Sequence, residues 1–223
     1  SLADDILDAN TTKLGAKTRT GKSAFPRLPL FARCEVKDDD DVSVKFMIVV
    51  VHLKAYVDDA SSRARRALAA KILAEIIHDI REEEEIPVIL GGDFNELLTN
   101  DILAPFKDTA DLFAMTADDA VSGAATYVGA SHRSVIDHIM ISGDVSAADI
   151  SGDDAAIVRL DRTVGRFSRD VSDHVPVVMR MVLRDKPLDV DTTGALARTE
   201  PTTAESRIKV PAGTRALVLN FED

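Results

Sequence analysis

A single cysteine, Cys34, stands in a chain of 223 residues, so no disulfide closes within it. That leans weakly towards a reducing compartment, and no Cys/His cluster of zinc-site spacing is present. Tryptophan is absent and aromatic residues make up 4% of the chain. Both facts weigh against base-stacking platforms and against aromatic anchoring at a membrane interface. Long apolar runs are missing too. The longest, Phe46 to Val51, is far short of a bilayer span, so no stable membrane insertion is expected. No basic stretch followed by an apolar one marks a signal peptide near the start. Positive charge is scarce: 27 Lys and Arg face 38 Asp and Glu, for a net charge of −11. Tight, metal-free binding to nucleic acid is disfavoured by that sign. Carboxylates that hold divalent metals also add negative charge, so nuclease chemistry stays compatible with it.

What remains fits a soluble globular protein, with 45% hydrophobic and 29% charged residues. The length suits one good-sized core, or one domain with an appendage. Residues 1–24 are polar and read as loop with at most a short helix. Phe31 to Val36 and Val42 to Leu53 read as two strands of a hairpin, joined by a solvated acidic turn at Asp38 to Asp41. Asp58 to Arg81 reads as a long helix, capped by Asp58 or Asp59, with apolar residues at Leu68, Ile72, Ile76 and Ile80. Pro87 to Leu90 is a short buried strand that Gly91-Gly92 ends. A helical region from Asn100 to Phe113 is broken at Pro105. Short strands follow at Thr126-Tyr127, Ile136 to Ser142, Ala155 to Leu160 and Val175 to Leu183. The mixture predicts an α/β layered domain over residues 1–185, with a mixed sheet. Residues 186–223 read as a linker or tail with a possible short hairpin at its end.

Four segments set polar residues directly at the end of an apolar run. In an α/β protein such strand ends build sites, because the sheet is rigid and the loops are accessible. They are Val49 to Ala55 with His52, Ile89 to Asn95 with Asp93 and Asn95, Ser134 to Ile139 with Asp137, and Val171 to Pro176 with Asp173 and His174. Asp93 and Asn95 supply hard oxygens suited to Mg²⁺. Taken singly, each has a plain structural reading. A lone histidine beside a strand is usually structural, and Gly-Asp after a strand is a common turn. His78 and His132 lack such a setting and read as structural.

Taken together and in this order, the segments resemble the later motifs of the endonuclease/exonuclease/phosphatase superfamily. Gly-Gly-Asp-Phe-Asn at 91–95, Ile-Asp-His at 136–138 and Ser-Asp-His at 172–174 carry the likeness, with Thr126-Tyr127 and Arg27 in support. The resemblance covers roughly residues 25–183. It implies a four-layer α/β sandwich with mixed sheets, incomplete at the N-terminus here. It also implies a hydrolase that cleaves phosphoester bonds with a divalent cation, Mg²⁺ by expectation and Mn²⁺ or Ca²⁺ as alternatives. By that resemblance His174 is the central catalytic histidine, as base or as stabiliser of the charged phosphorane, and Asp137 orients it. Asp93 orients or activates water, and Asn95 holds a phosphate oxygen or the water shell of the metal. Asp173 lies at the metal with Asp93 and Asn95, and His52 assists at the phosphate or leaving group.

The substrate this implies is a phosphodiester, nucleic acid first. A lipid or inositol phosphate is the alternative, and a catalytically degenerate binding module is the reading from another class. The N-terminal motifs that supply an Asn and a metal-binding Glu have no counterpart in residues 1–24. The chain begins at Ser1 and reads either as a fragment whose upstream part carries those ligands, the favoured reading, or as a divergent form without them; on its own it is expected to bind metal weakly and to be inactive. The sequence leaves oligomeric state and location open.

Overall fold

The computed structural model describes residues 12–37, 43–56, 59–116, 124–142, 155–181 and 215–217. The expected acidic turn at 38–41, and the linker at 186–206, lie outside them. Strands β1 (Leu30–Lys37) and β2 (Ser43–His52) pair antiparallel, Leu30 opposite Val50, as the hairpin reading requires. Helix α1 (Ala60–Glu84) follows, then β3 (Val88–Asp93), which lies parallel to β2. A short 3₁₀ turn (Asp101–Leu103) leads into α2 (Ala104–Asp108) and β4 (Leu112–Ala114). After these come β5 (Asp137–Ser142), β6 (Ala155–Ile157), α3 (Leu160–Thr163), α4 (Phe167–Asp170), β7 (Val177–Met181) and β8 (Arg215–Leu217). The strand order is β1-β2-β3-β5-β4 in a five-stranded mixed sheet and β6-β7-β8 in a three-stranded one.

The alternation of side chains across a strand explains the layering. Met47, Val49, Val51, Val88 and Leu90 face α1, packing with Leu73, Ile76, Ile77 and Ile80. Their neighbours Phe46, Ile48, Ile89, Ile139 and Ile141 face the other way and pack with Val177 and Met179 of β7. The five-stranded sheet is thus covered by a helix on one face and by a second sheet on the other, the α/β sandwich that the motifs imply.

Helix α1 starts where Asp59 caps it, its carboxylate accepting from Ser62 N at 2.7 Å. It runs three residues past Arg81, the expected end. Glu82 to Glu84 oppose the helix dipole there, but Arg33 of β1 grips Glu84 with two hydrogen bonds of 2.8 and 3.1 Å. Pro105 does not break a helix: it sits in the first turn of α2, where a missing N–H costs nothing. The chain then turns into β4 at the sheet edge instead of continuing helical to Phe113. Gly91-Gly92 does not end β3 either, since the strand runs on to Asp93. Gly92 sits at φ +140° beside β2, and a Cβ there would collide with the Val51 carbonyl. No helix among the described residues is long and apolar enough to cross a membrane.

Candidate active site

Strand register brings three of the sequence-predicted residues into one row. His52 at the end of β2 lies opposite Asp93 at the end of β3. Asp93 in turn lies opposite Asp137, the first residue of β5. His174 reaches them from the segment before β7. That segment is sewn down by backbone bonds: Val175 N donates to Thr126 O at 2.7 Å, and Val128 N donates to Asp173 O at 2.6 Å. The Ser172 hydroxyl accepts from His174 N at 3.0 Å. Thr126 serves both neighbours, because its hydroxyl also accepts from Ile136 N and Asp137 N, each at 3.0 Å. The Thr126-Tyr127 pair, read from sequence as a strand, is therefore a splint between two motifs, with Thr126 buried and Tyr127 half-buried at the cleft.

Asp137 is buried and its two carboxylate oxygens lie 2.9 and 3.1 Å from His174 Nδ1. Burial works against charge on His174, but Asp137, with Asp93 and Asp173 behind it, outweighs burial and raises its pKa to about 9. Asp93 accepts from Asn95 N at 2.7 Å and from Asn95 Nδ2 at 2.8 Å. His52 Nε2 lies 3.4 Å from the same carboxylate. Asn95 sits at φ 49°, a conformation asparagine tolerates better than most residues, and its Nδ2 also donates to Leu53 O at 3.1 Å. Asn95 thus holds Asp93 to the loop after β2.

These groups open onto a cleft of about 1100 Å³, which Asp173, Arg27, Tyr56, Tyr127 and His132 also line. Every residue singled out from the sequence reaches this cleft or, as Asp137 does, supports a residue that reaches it. His132, read as structural, belongs to the cleft as well. Its ring meets that of Tyr127 at 4.8 Å with a tilt of 40°, and Tyr127 meets the His174 ring at 5.2 Å. Nothing in its spacing marks it. His138 turns away from the cleft. Its ring nitrogens meet Thr116 Oγ1 at 3.0 Å and Glu96 O at 2.9 Å, and burial lowers its pKa to about 4. Below the site, Arg66 of α1 and Glu96 form a buried ion pair of 3.0 Å. Arg66 also donates to Lys54 O at 2.8 Å and to Tyr56 O at 3.3 Å. It stands on the stripe of Ala69, Ala70, Leu73 and Ile77, and a charge on an apolar stripe is a signal legible in the sequence.

Asp93, Asp137 and His174 each offer a donor atom, all within 4.8 Å of one another. Asp137 and His174 face each other within the set, which leaves Asp93 as its member with oxygen to offer a hard divalent cation from the cleft.

Comparison with known proteins agrees. The Endonuclease/Exonuclease/phosphatase family matches residues 13–174. No curated protein sequence matches the chain. Among solved structures, the catalytic domain of Xenopus laevis APE2 is 13% identical, with a TM-score of 0.50 over 82% of this chain and 63% of that one. The catalytic domain of human Nocturnin, with bound sulfate, is 19% identical, with a TM-score of 0.49 over 74% and 55%. The 3'-5' exonuclease NExo from Neisseria meningitidis is 19% identical, with a TM-score of 0.46 over 67% and 70%. The chain therefore spans 55% and 63% of the length of the Nocturnin and APE2 domains. The likeness to APE2 is one of fold, and the match over residues 13–174 makes the chain a member of the Endonuclease/Exonuclease/phosphatase family.

Proposed function

We propose that the chain hydrolyses phosphoester bonds with a divalent cation, and that phosphodiesters of nucleic acid are its first substrates. The observation that supports this most is His174 held by Asp137 in the cleft that Asp93, Asn95 and Asp173 line. Asp137 gives both oxygens to His174, so the cation belongs with Asp93, Asn95 and Asp173, and their oxygens suit Mg²⁺. When bound, such an ion neutralises charge on the phosphoryl and leaving oxygens.

The side chains divide the remaining work. Nδ1 of His174 donates to Asp137, which leaves Nε2 for the substrate. With its pKa near 9, His174 enters as a cation at neutral pH and stabilises negative charge on the phosphoryl group. Asp93 is then the group that orients the attacking water and takes its proton. Asn95 holds Asp93 in place, and His52, on the other side of Asp93, stands by the leaving group.

The test is hydrolysis of bis(p-nitrophenyl) phosphate and of supercoiled plasmid, with Mg²⁺ or Mn²⁺ and with EDTA. Cleavage that EDTA stops and that His174→Ala removes supports the reading. Cleavage that survives either treatment sinks it, as does a failure to cleave any phosphoester both by this chain and by a longer one that carries further residues upstream.

A further inference from the structure

Beside the cleft lies a second depression of about 610 Å³. The loop 128–133 forms one wall and the residues 161–168 of α3 and α4 the other. His132 lines both hollows, so the two adjoin.

The charge here runs against the rest of the molecule. The whole chain carries −11, yet residues 159–170 hold four arginines (159, 162, 166 and 169) against two aspartates (161 and 170), a net +2. Arg133, from the facing loop, makes it +3. The one carboxylate in the walls is already engaged. Arg159 binds Asp161 with two hydrogen bonds of 2.8 Å, and Arg133 donates to its Oδ2 as well. These arginines, Arg159 first, lower its pKa to about 2, and its side chain is only 8% exposed. Arg162 is exposed and forms no ion pair among the described residues. Arg166 is also exposed, and its pairing with Asp170 is of the surface kind that contributes little.

Of these arginines, Arg133, Arg162 and Arg166 line the open hollow, and guanidinium forks match the oxygens of a phosphate. We propose that this arginine-lined depression binds a phosphate other than the one being cleaved, so that the substrate carries at least two. The proposal rests on the phosphoester reading and narrows its substrate class. A nucleic-acid strand supplies the second phosphate from a neighbouring nucleotide, and a compact polyphosphate supplies it from the same small molecule.

Binding in EDTA at low salt separates this idea from hydrolysis. The probes are a fluorescent single-stranded oligonucleotide, read by anisotropy, and inositol hexakisphosphate as competitor. Arg162→Gln/Arg166→Gln is compared with Lys71→Gln/Lys107→Gln, which removes the same charge from exposed positions outside the depression. The arginine variant is expected to lose about tenfold or more in affinity for at least one probe. For the oligonucleotide, the slope of log K against log salt should also fall by about 0.7 for each phosphate that an arginine no longer neutralises. A loss confined to the oligonucleotide identifies a strand as the source, and one confined to the competitor identifies a compact polyphosphate. Equal losses in both variants, or no loss for either probe, overturn the subsite. An inactive protein with the arginine-dependent loss removes the hydrolase reading and keeps the anion site.

Discussion

His174 Nδ1 lies 2.9 Å from Asp137 Oδ2, joining a residue that leads into β7 to the first residue of β5. The hydrogen bond fixes which nitrogen faces the cleft and keeps the ring charged. An Asp137→Asn change keeps the shape and loses the charge. Activity is expected to fall about 10²- to 10⁴-fold, mostly in kcat, because the substrate-binding groups remain. In metal-free protein the His174 pKa should drop from about 9 towards the ordinary imidazole value of about 6.5, since its largest raising partner is gone while burial still opposes the charge and Asp93 and Asp173 still favour it. NMR titration of the ring checks the second point. An unmoved pKa would mean that Asp137 does not set the charge of His174.

The buried Arg66–Glu96 pair should matter more for the loop after β2 than for net stability. Arg66→Met leaves Glu96 buried without its cation and is expected to cost about 3–5 kcal/mol in urea unfolding. Arg66→Met/Glu96→Leu removes both charges, and most of that loss should return. Activity should not return with it. Arg66 also holds the Lys54 and Tyr56 carbonyls, and these lie just beyond His52. A double variant that recovers stability and activity together would show that the pair does not position the loop.

Much of this is legible in the sequence, for a physical reason. Strand ends in apolar runs announce themselves, so His52, Asp93, Asp137 and His174 stand out without any knowledge of their register. Pairing order is not legible, because the antiparallel pairing of β3 with β5 joins segments distant in sequence. Edge strand β4 hides inside a helical pattern, since Leu112-Phe113-Ala114 is too short to show a period of two. Helix α1 outruns its expected end because its last turn is held by Arg33, fifty-one residues away. His132 joins the cleft through a tilted ring contact with Tyr127, an interaction with no local signature.

Two glycines should respond very differently to alanine. At Gly92 the overlap with the Val51 carbonyl costs about 1–3 kcal/mol, and the positive φ adds a further ~1–3 kcal/mol. A Cβ at Gly165 would meet nothing within 4 Å, and its φ lies outside the left-handed region. Gly165→Ala should therefore stay within about 0.5 kcal/mol of the parent. Thermal unfolding of the two variants checks the contrast. A Gly92→Ala protein as stable as Gly165→Ala would mean that β2 and β3 part easily at this point.

His138 makes the fold sensitive to acid. Burial lowers its pKa to about 4, against about 6.5 in the unfolded chain. Between those values the unfolded state binds the proton and the folded state does not, so stability falls as pH falls. The contribution is fully present above about pH 6.5 and is lost by about pH 4, some ~3 kcal/mol in all. Urea unfolding at pH 7, 6, 5 and 4 measures the slope. His138→Gln keeps a side chain that hydrogen-bonds to Thr116 or Glu96 but does not titrate, so it should flatten this limb while lowering stability at pH 7. If the limb is as steep in His138→Gln as in the parent, the acid sensitivity comes from the carboxylates instead, with the Asp137–His174 pair the next place to look.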